Sequence, residues 1–223
     1  MTSFGARRLA SSPQADPRII EQLRRIALPL LSDSLHRGTG SLGLQSFHKP
    51  TTATMAGTAV TVRSRGGDNL TTLRAFDLCR PGDVLVIDAG GDLTNAVLGG
   101  IMTAGAAMLG LAGVVVDGAI RDVAEIRERE FPVYARGVNH RGPYKNGPGE
   151  INVPVCIGGM VVEPGDIIVG DADGLLAFPA SEAAAIIEKA LAQQKKEDEQ
   201  MAEIRQGRWD RSFLDALEAR AIN

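Results

Sequence analysis

The alternation of apolar and polar positions along the chain resolves into a mixed succession of helices and strands. Asp16-Pro17 reads as a helix start, Asp as N-cap and Pro in the first turn. Ile19, Ile20, Leu23 and Ile26 continue it as a helical stripe. Ser32-Asp33-Ser34 is expected to open a second short helix, and residues 38–43 to form a loop. A β pattern follows at 56–63, then a turn with an N-cap at 66–69, a helix over 70–78 and a tight turn at Arg80-Pro-Gly-Asp83.

Val84-Leu-Val-Ile-Asp88 and Gly113-Val-Val-Val-Asp117 are short apolar runs, each closed by an aspartate, consistent with strands buried on both faces. A small-residue helix is expected between them, from about Gly100 to Leu109. Gly118 is expected to turn the chain into a charged helix from Arg121 to Glu130, followed by a strand at 133–136. Residues 137–149 are too polar and too broken to be core and read as a loop. Strands at 153–157, 160–162, 166–169 and 175–178 come next, separated by Gly- and Asp-rich turns. Ser181 is expected to cap a long helix reaching about Arg205, and a short tail with Trp209 and Phe213 closes the chain.

This order predicts an α/β fold with helices outside a central mixed sheet. Three parts are expected: a polar N-terminal arm at 1–15, a single α/β domain at 16–180, and a C-terminal helix and tail at 181–223. The second half of that helix is mostly polar and has little to bury within one domain, so it is expected to pack on a neighbouring subunit.

Composition narrows the function. The 223 residues are 44% hydrophobic and 23% charged, enough to bury a core without disulfides or a structural metal. Aromatics are only 4%, so Val, Ile, Leu and Ala must build that core. The net charge of −3, without a basic stripe, argues against a nucleic-acid surface. The longest apolar run, 104–116, is interrupted by glycine and falls short of the roughly 20 residues of a membrane span. Arg7 and Arg8 are not followed by the apolar core and cleavage site of a secretory signal. Cys79 and Cys156 form no metal-binding pair and are expected to be reduced, which suits a cytoplasmic protein.

Candidate chemistry concentrates between Gly90 and Glu130. Two buried strands each end in Gly and Asp and lead into a helix, an arrangement that gathers loop side chains and helix N-termini into one crevice. Arg121 and Asp122 stand where the second of these helices is expected to start. A guanidinium there favours an anionic ligand, and the adjacent carboxylate suits a hard cation such as Mg²⁺. Gly90-Gly91-Asp92 lacks the third glycine of a dinucleotide-binding turn. His36, His48 and His140 are too dispersed for a histidine metal site, and no P-loop or nucleophile elbow is present. From spacing alone, Asp92 and Asp117 read equally as turn residues or as catalytic ones.

The stretch Gly113-Val-Val-Val-Asp-Gly-Ala-Ile-Arg-Asp122 resembles the 4-hydroxy-4-methyl-2-oxoglutarate aldolases and the related regulators of ribonuclease E activity. The resemblance runs in order over about residues 20–210. It takes in Gly66-Gly67-Asp68-Asn69, Pro81-Gly82-Asp83, Gly137-Val-Asn139, Gly149-Glu-Ile-Asn-Val-Pro-Val155, Gly158-Gly159, Val162-Glu-Pro-Gly-Asp166 and Gly170-Asp-Ala-Asp-Gly174.

It implies a layered αββα sandwich of the swivelling-domain type, assembled as a homotrimer or hexamer with sites between subunits. It also implies a class II, metal-dependent pyruvate aldolase that cleaves 4-hydroxy-2-oxo acids through an enolate and could decarboxylate oxaloacetate. Asp122 would bind Mg²⁺ or Mn²⁺, and Arg121 would touch the keto or enolate oxygen. The backbone N–H groups of Gly100, Ile101 and Met102 would hold the pyruvate carboxylate. Glu199, or Glu197, would approach from a neighbouring subunit. The family's aldolase pattern sets an acidic residue twenty intervening residues before Arg-Asp, and here that position is Gly100. Either Asp92 or a neighbour's carboxylate substitutes, or the substrate differs. The alternative is a non-catalytic regulator that binds a ribonuclease or another protein partner.

Overall fold

The structure is a computed structural model describing residues 5–51 and 53–214. Four parallel strands form its centre: β2 (Met55–Ser64), β3 (Asp83–Asp88), β5 (Gly113–Ile120) and β6 (Val133–Val138), in spatial order β6-β5-β3-β2. Each successive pair is joined through a helix: α3 (Leu70–Ala75), α4 (Gly100–Met108) and α5 (Val123–Arg127). Antiparallel strands extend the sheet at both ends. β1 (Gln45–Ser46) pairs with β6, and β10 (Ile167–Asp171) pairs with β2 and with β11 (Gly174–Phe178). Two short strands attach at the side: β4 (Ala96–Leu98) on β5 and β7 (Gly149–Ile151) on β2.

The period-two alternation of side chains sorts the core into layers. Val60, Val62, Leu85, Ile87, Val114 and Val116 point to one face, where Ala75, Ala106 and Ile126 of α3, α4 and α5 cover them. Their neighbours Ala59, Val84, Val86 and Val115 point the other way. They share a cluster with Ile168, Leu175 and Ala177 of β10 and β11 and with the hairpin β8 (Val155–Ile157) and β9 (Met160–Val162). The opposite face of β10 and β11, carrying Ile167, Val169, Leu176 and Phe178, is covered by α1 (Pro17–Leu23), α2 (Leu28–Ser34) and α6 (Ala183–Arg205). Helices therefore lie outside two sheet faces that pack on each other, the αββα arrangement.

Several elements differ from the sequence pattern, each for a tertiary reason. Ser32-Asp33-Ser34 close α2 instead of opening it: Pro29 sits in its first turn, and the Leu28 N–H is satisfied by Asp171 Oδ2 at 2.9 Å. Gly118 does not turn the chain. β5 runs through it to Ile120 because β4 pairs alongside, and only a residue without Cβ fits there, 2.9 Å from Ala89 Cβ. α5 spans only Val123–Arg127, since Arg121 N–H still donates to Leu98 O at 3.0 Å and Asp122 is left-handed. Ser181 falls inside a 3₁₀ turn, Ala180–Glu182, and gives α6 no side-chain cap.

The N-terminal arm is tied down from Gly5 onward. It runs beside β7 through Leu9 N–H to Ile151 O and Ile151 N–H to Arg7 O, while Arg7 and Arg63 both pair with the buried Glu150. The first half of α6 packs on α1 and α2 through Ala183, Ile186, Ile187 and Ala190, and its second half is exposed. No helix among the described residues is long and apolar enough to cross a membrane.

Candidate active site

Arg121 and Asp122 stand just beyond the C-terminal end of β5, where ligands of open parallel sheets collect. Asp122 occupies the N-cap position of α5 with φ 59° and ψ 34°. Most side chains disfavour this left-handed conformation, but Asp tolerates it. The twist turns the carboxylate back toward α4, where Oδ2 accepts the Gly100 N–H at 2.9 Å. Arg121 Nε lies 3.7 Å from the same oxygen. The two side chains are 42% and 44% exposed, so both reach solvent while their bases are fixed. Gly99 makes this approach possible, because a Cβ on it would come within 2.5 Å of Asp122 Oδ2.

α4 delivers its positive end to the same place. The N–H groups of its first turn have no intrahelical acceptors. Gly100 spends its N–H on Asp122, which leaves those of Ile101 and Met102. Asn69, Gly99, Ile101, Met102, Arg121 and Asp122 line a cleft of about 50 Å³, walled on one side by Pro143. Larger hollows, of about 420 Å³ beside Leu28 and Ser41 and about 680 Å³ beside Arg24 and Lys49, do not contain the Arg-Asp pair.

Two residues enter this site that the sequence reading did not assign to it. The first is Glu125, one helical turn after Asp122. Its Oε2 lies 2.5 Å from where a Cβ on Gly100 would stand, and its carboxylate is paired with Arg129. The space into which a side chain at position 100 would project thus already holds a carboxylate. Its spacing of three from Asp122, one face of a helix, was the available signal. The second is Asn69. It occupies the N-cap position of α3 but makes no side-chain capping bond. Its residue is 4% exposed, its Nδ2 donates to Met102 Sδ at 3.3 Å, and its Oδ1 has no partner.

The remaining candidates lie elsewhere. Asp92 accepts the Thr94 N–H and hydroxyl in its own turn, each at 2.9 Å, and does not reach Gly100's surroundings. Asp117 is buried, pairs with Arg136 and accepts the Gly158 N–H at 2.8 Å, which anchors the β8–β9 hairpin. Glu197 and Glu199 lie in the exposed half of α6, where Glu197 accepts from Gln193 at 2.9 Å. Neither lines the cleft within one chain. Cys79 and Cys156 are both free thiols.

The chain resembles known proteins over most of its length. The family model described as RraA-like, Aldolase/RraA, matches residues 28–177. A protein of Halalkalibacterium halodurans, provisionally named a 4-hydroxy-4-methyl-2-oxoglutarate aldolase, is 41% identical over 187 residues, 83% of this chain and 88% of its own. The solved structure of the RNA-processing inhibitor RraA from Thermus thermophilus is similar at TM-score 0.62 and 35% identity, over 69% of this chain and 92% of that one. Streptomyces coelicolor RraAS2, described as an unusual member of the RNase ES inhibitor RraA family, matches at TM-score 0.74 and 28% identity, over 84% of this chain and 97% of its own. With the family model covering most of its length and the same layered fold in its relatives, the chain belongs to the RraA-like family.

Proposed function

We propose that this protein is a divalent-metal-dependent carbon–carbon lyase that cleaves 4-hydroxy-2-oxo acids and releases pyruvate. The observation that carries the reading is the fixed pair Arg121 and Asp122, set against the open first turn of α4. The donor set fits Mg²⁺ or Mn²⁺. Asp122 uses one oxygen on Gly100 and keeps the other free, and Glu125 brings a second carboxylate to the same turn. Mg²⁺ is commonly held by one or two carboxylates, waters and ligand oxygens completing its shell. Among the described residues there is no cluster of three or more His, Cys, Asp or Glu. Bound there, the metal would supply Lewis acidity to the 2-oxo group.

The chain's own residues account for the rest. The N–H groups of Ile101 and Met102, at the positive end of α4, receive the substrate's C1 carboxylate. Breaking the C3–C4 bond sends its electron pair onto the C2 oxygen, while the 4-hydroxyl proton leaves to a base. Arg121 faces that oxygen and stabilises the enolate charge, which a permanently charged guanidinium does at any working pH. Protonation at C3 completes pyruvate. Oxaloacetate decarboxylation needs the same enolate and the same residues. Glu125 takes the part that an acidic residue at position 100 would play.

The cleft is small, about 50 Å³, and open on the side of α4. Ile101 and Met108 on α4 are 89% and 81% exposed and form an apolar stripe with Ala104 and Gly105. This stripe supports a homo-oligomer, trimer or hexamer, in which Glu199 of a neighbour could approach the cleft. Two free thiols agree with a cytoplasmic setting.

The test is a lyase assay across hydroxylated 2-oxo acids and oxaloacetate, with Mg²⁺, Mn²⁺ and EDTA. Metal-dependent pyruvate release supports the reading, and no turnover on any of them removes it. A second reading, a non-catalytic regulator of a ribonuclease, is favoured by the glycine at position 100 and by the likeness to an RNA-processing inhibitor. It expects no metal-dependent binding of oxalate in calorimetry.

A further inference from the structure

The cleft has a roof, and one buried carboxylate holds most of it. Residues 139–148 connect β6 to β7 and cross the mouth of the site. Pro143 forms a wall of the cleft, and Gly142 lies against the Arg121 guanidinium, where an added Cβ would meet Nη1 at 2.9 Å. Asp68 is 1% exposed and makes no ion pair among the described residues. Its Oδ2 accepts the N–H groups of Asn146 at 2.6 Å and Gly147 at 2.9 Å. Its Oδ1 accepts the Leu70 N–H at 2.9 Å. Backbone bonds beside it, Tyr144 N–H to Gly67 O at 2.8 Å and Asn69 N–H to Tyr144 O at 3.0 Å, lock the same two segments together. On the far side, Asn95 Nδ2 donates to Gly142 O at 2.6 Å.

We infer that Asp68 is a positioning residue for this site: it pins the 139–148 segment over Arg121 and, by capping α3 itself, leaves the Asn69 side chain to reach Met102 at the cleft. A carboxylate suits the task because it only accepts, and three backbone N–H donors converge on it. Asparagine at position 68 would turn an NH₂ group toward at least one of those donors. The consequence for ligand binding rests on the lyase reading, whereas the consequence for the roof does not.

The experiment uses the full chain with Asp68→Asn and, as a milder variant that spares the buried carboxylate, Asn95→Ala. Amide hydrogen exchange is followed residue by residue, and oxalate binding in the presence of Mg²⁺ is titrated by calorimetry. Exchange at Asn146 and Gly147 should speed up at least about tenfold in Asp68→Asn, with the β-sheet amides unchanged. Asn95→Ala should accelerate exchange around Gly142. Oxalate affinity should fall about tenfold in Asp68→Asn. Wild-type exchange rates throughout the loop in both variants would overturn the inference. Faster local exchange with unaltered oxalate affinity would overturn the link between roof and cleft. If the unmodified protein binds no oxalate, the lyase reading fails, and the exchange rates alone decide the roof.

Discussion

At residue 122 the backbone turns left-handed to aim a carboxylate, and the residue type limits what can replace it. Asn shares the tolerance of Asp for this conformation. Asp122→Asn should therefore fold with a melting temperature close to that of the unmodified protein, yet lose about 100-fold or more in metal-dependent turnover. Arg121→Lys should lose a comparable factor, because a point charge does not reproduce the fork of a guanidinium. Steady-state kinetics beside a thermal melt separate these losses from unfolding, and full activity in either variant would remove the site assignment. Glu125→Gln tests the carboxylate that fills the space over Gly100. Turnover should drop at least about tenfold, and equal activity would show that the carboxylate is dispensable. Gly99→Ala adds a methyl 2.5 Å from Asp122 Oδ2 and should weaken metal affinity by pushing that carboxylate aside.

The elements around the edges of the sheet carry titratable groups with a structural signature. His48 follows β1, and its Nδ1 lies 3.3 Å from the Val133 carbonyl oxygen of β6. Burial holds its imidazole below the ordinary histidine range, with the Val133 backbone bond acting in the opposite sense. A folded-state value below the unfolded one means that the unfolded chain binds the proton more readily. The stability involved is then complete above the unfolded value of about 6.5 and is lost as pH falls from there through the folded value. The melting temperature should decline between pH 7.5 and 5.5, and less steeply in His48→Gln. In the 3₁₀ turn and loop that follow α3, burial pushes the Cys79 thiol up to about 12, whereas Cys156 on β8 is exposed. A disulfide exchange reagent at pH 8 should therefore titrate Cys156 quickly and Cys79 only after unfolding.

At the scale of the molecule, α4 presents one face to the core and a bare apolar face outward. Met108→Asp leaves Thr103 and Ala106, the buried side of the helix, untouched. It should shift a trimer or hexamer toward smaller species in sedimentation velocity, with lyase activity falling as the assembly dissociates. An unmodified protein that sediments as a monomer would remove the need for a neighbour's Glu199. Leu191, Met201 and Ile204 of α6 are further exposed apolar residues.

The apolar runs at 84–87 and 113–116 and the Arg-Asp pair that follows the second were legible in the chain itself. Short runs of branched residues bounded by Gly and Asp suit buried strands, and the family motif extends in order along most of the length. The short strands β1, β4 and β7 were not, since two or three residues hold no period to read. Pairing with a neighbour, not their own pattern, makes them strands. The same holds at the site. Local spacing named Arg121 and Asp122, but Asn69 and Glu125 became site residues only when α3, α4 and α5 came together. A side chain's role depends on which donors and acceptors surround it. Sequence determines those surroundings through the whole fold, where contacts between distant residues outweigh local preference.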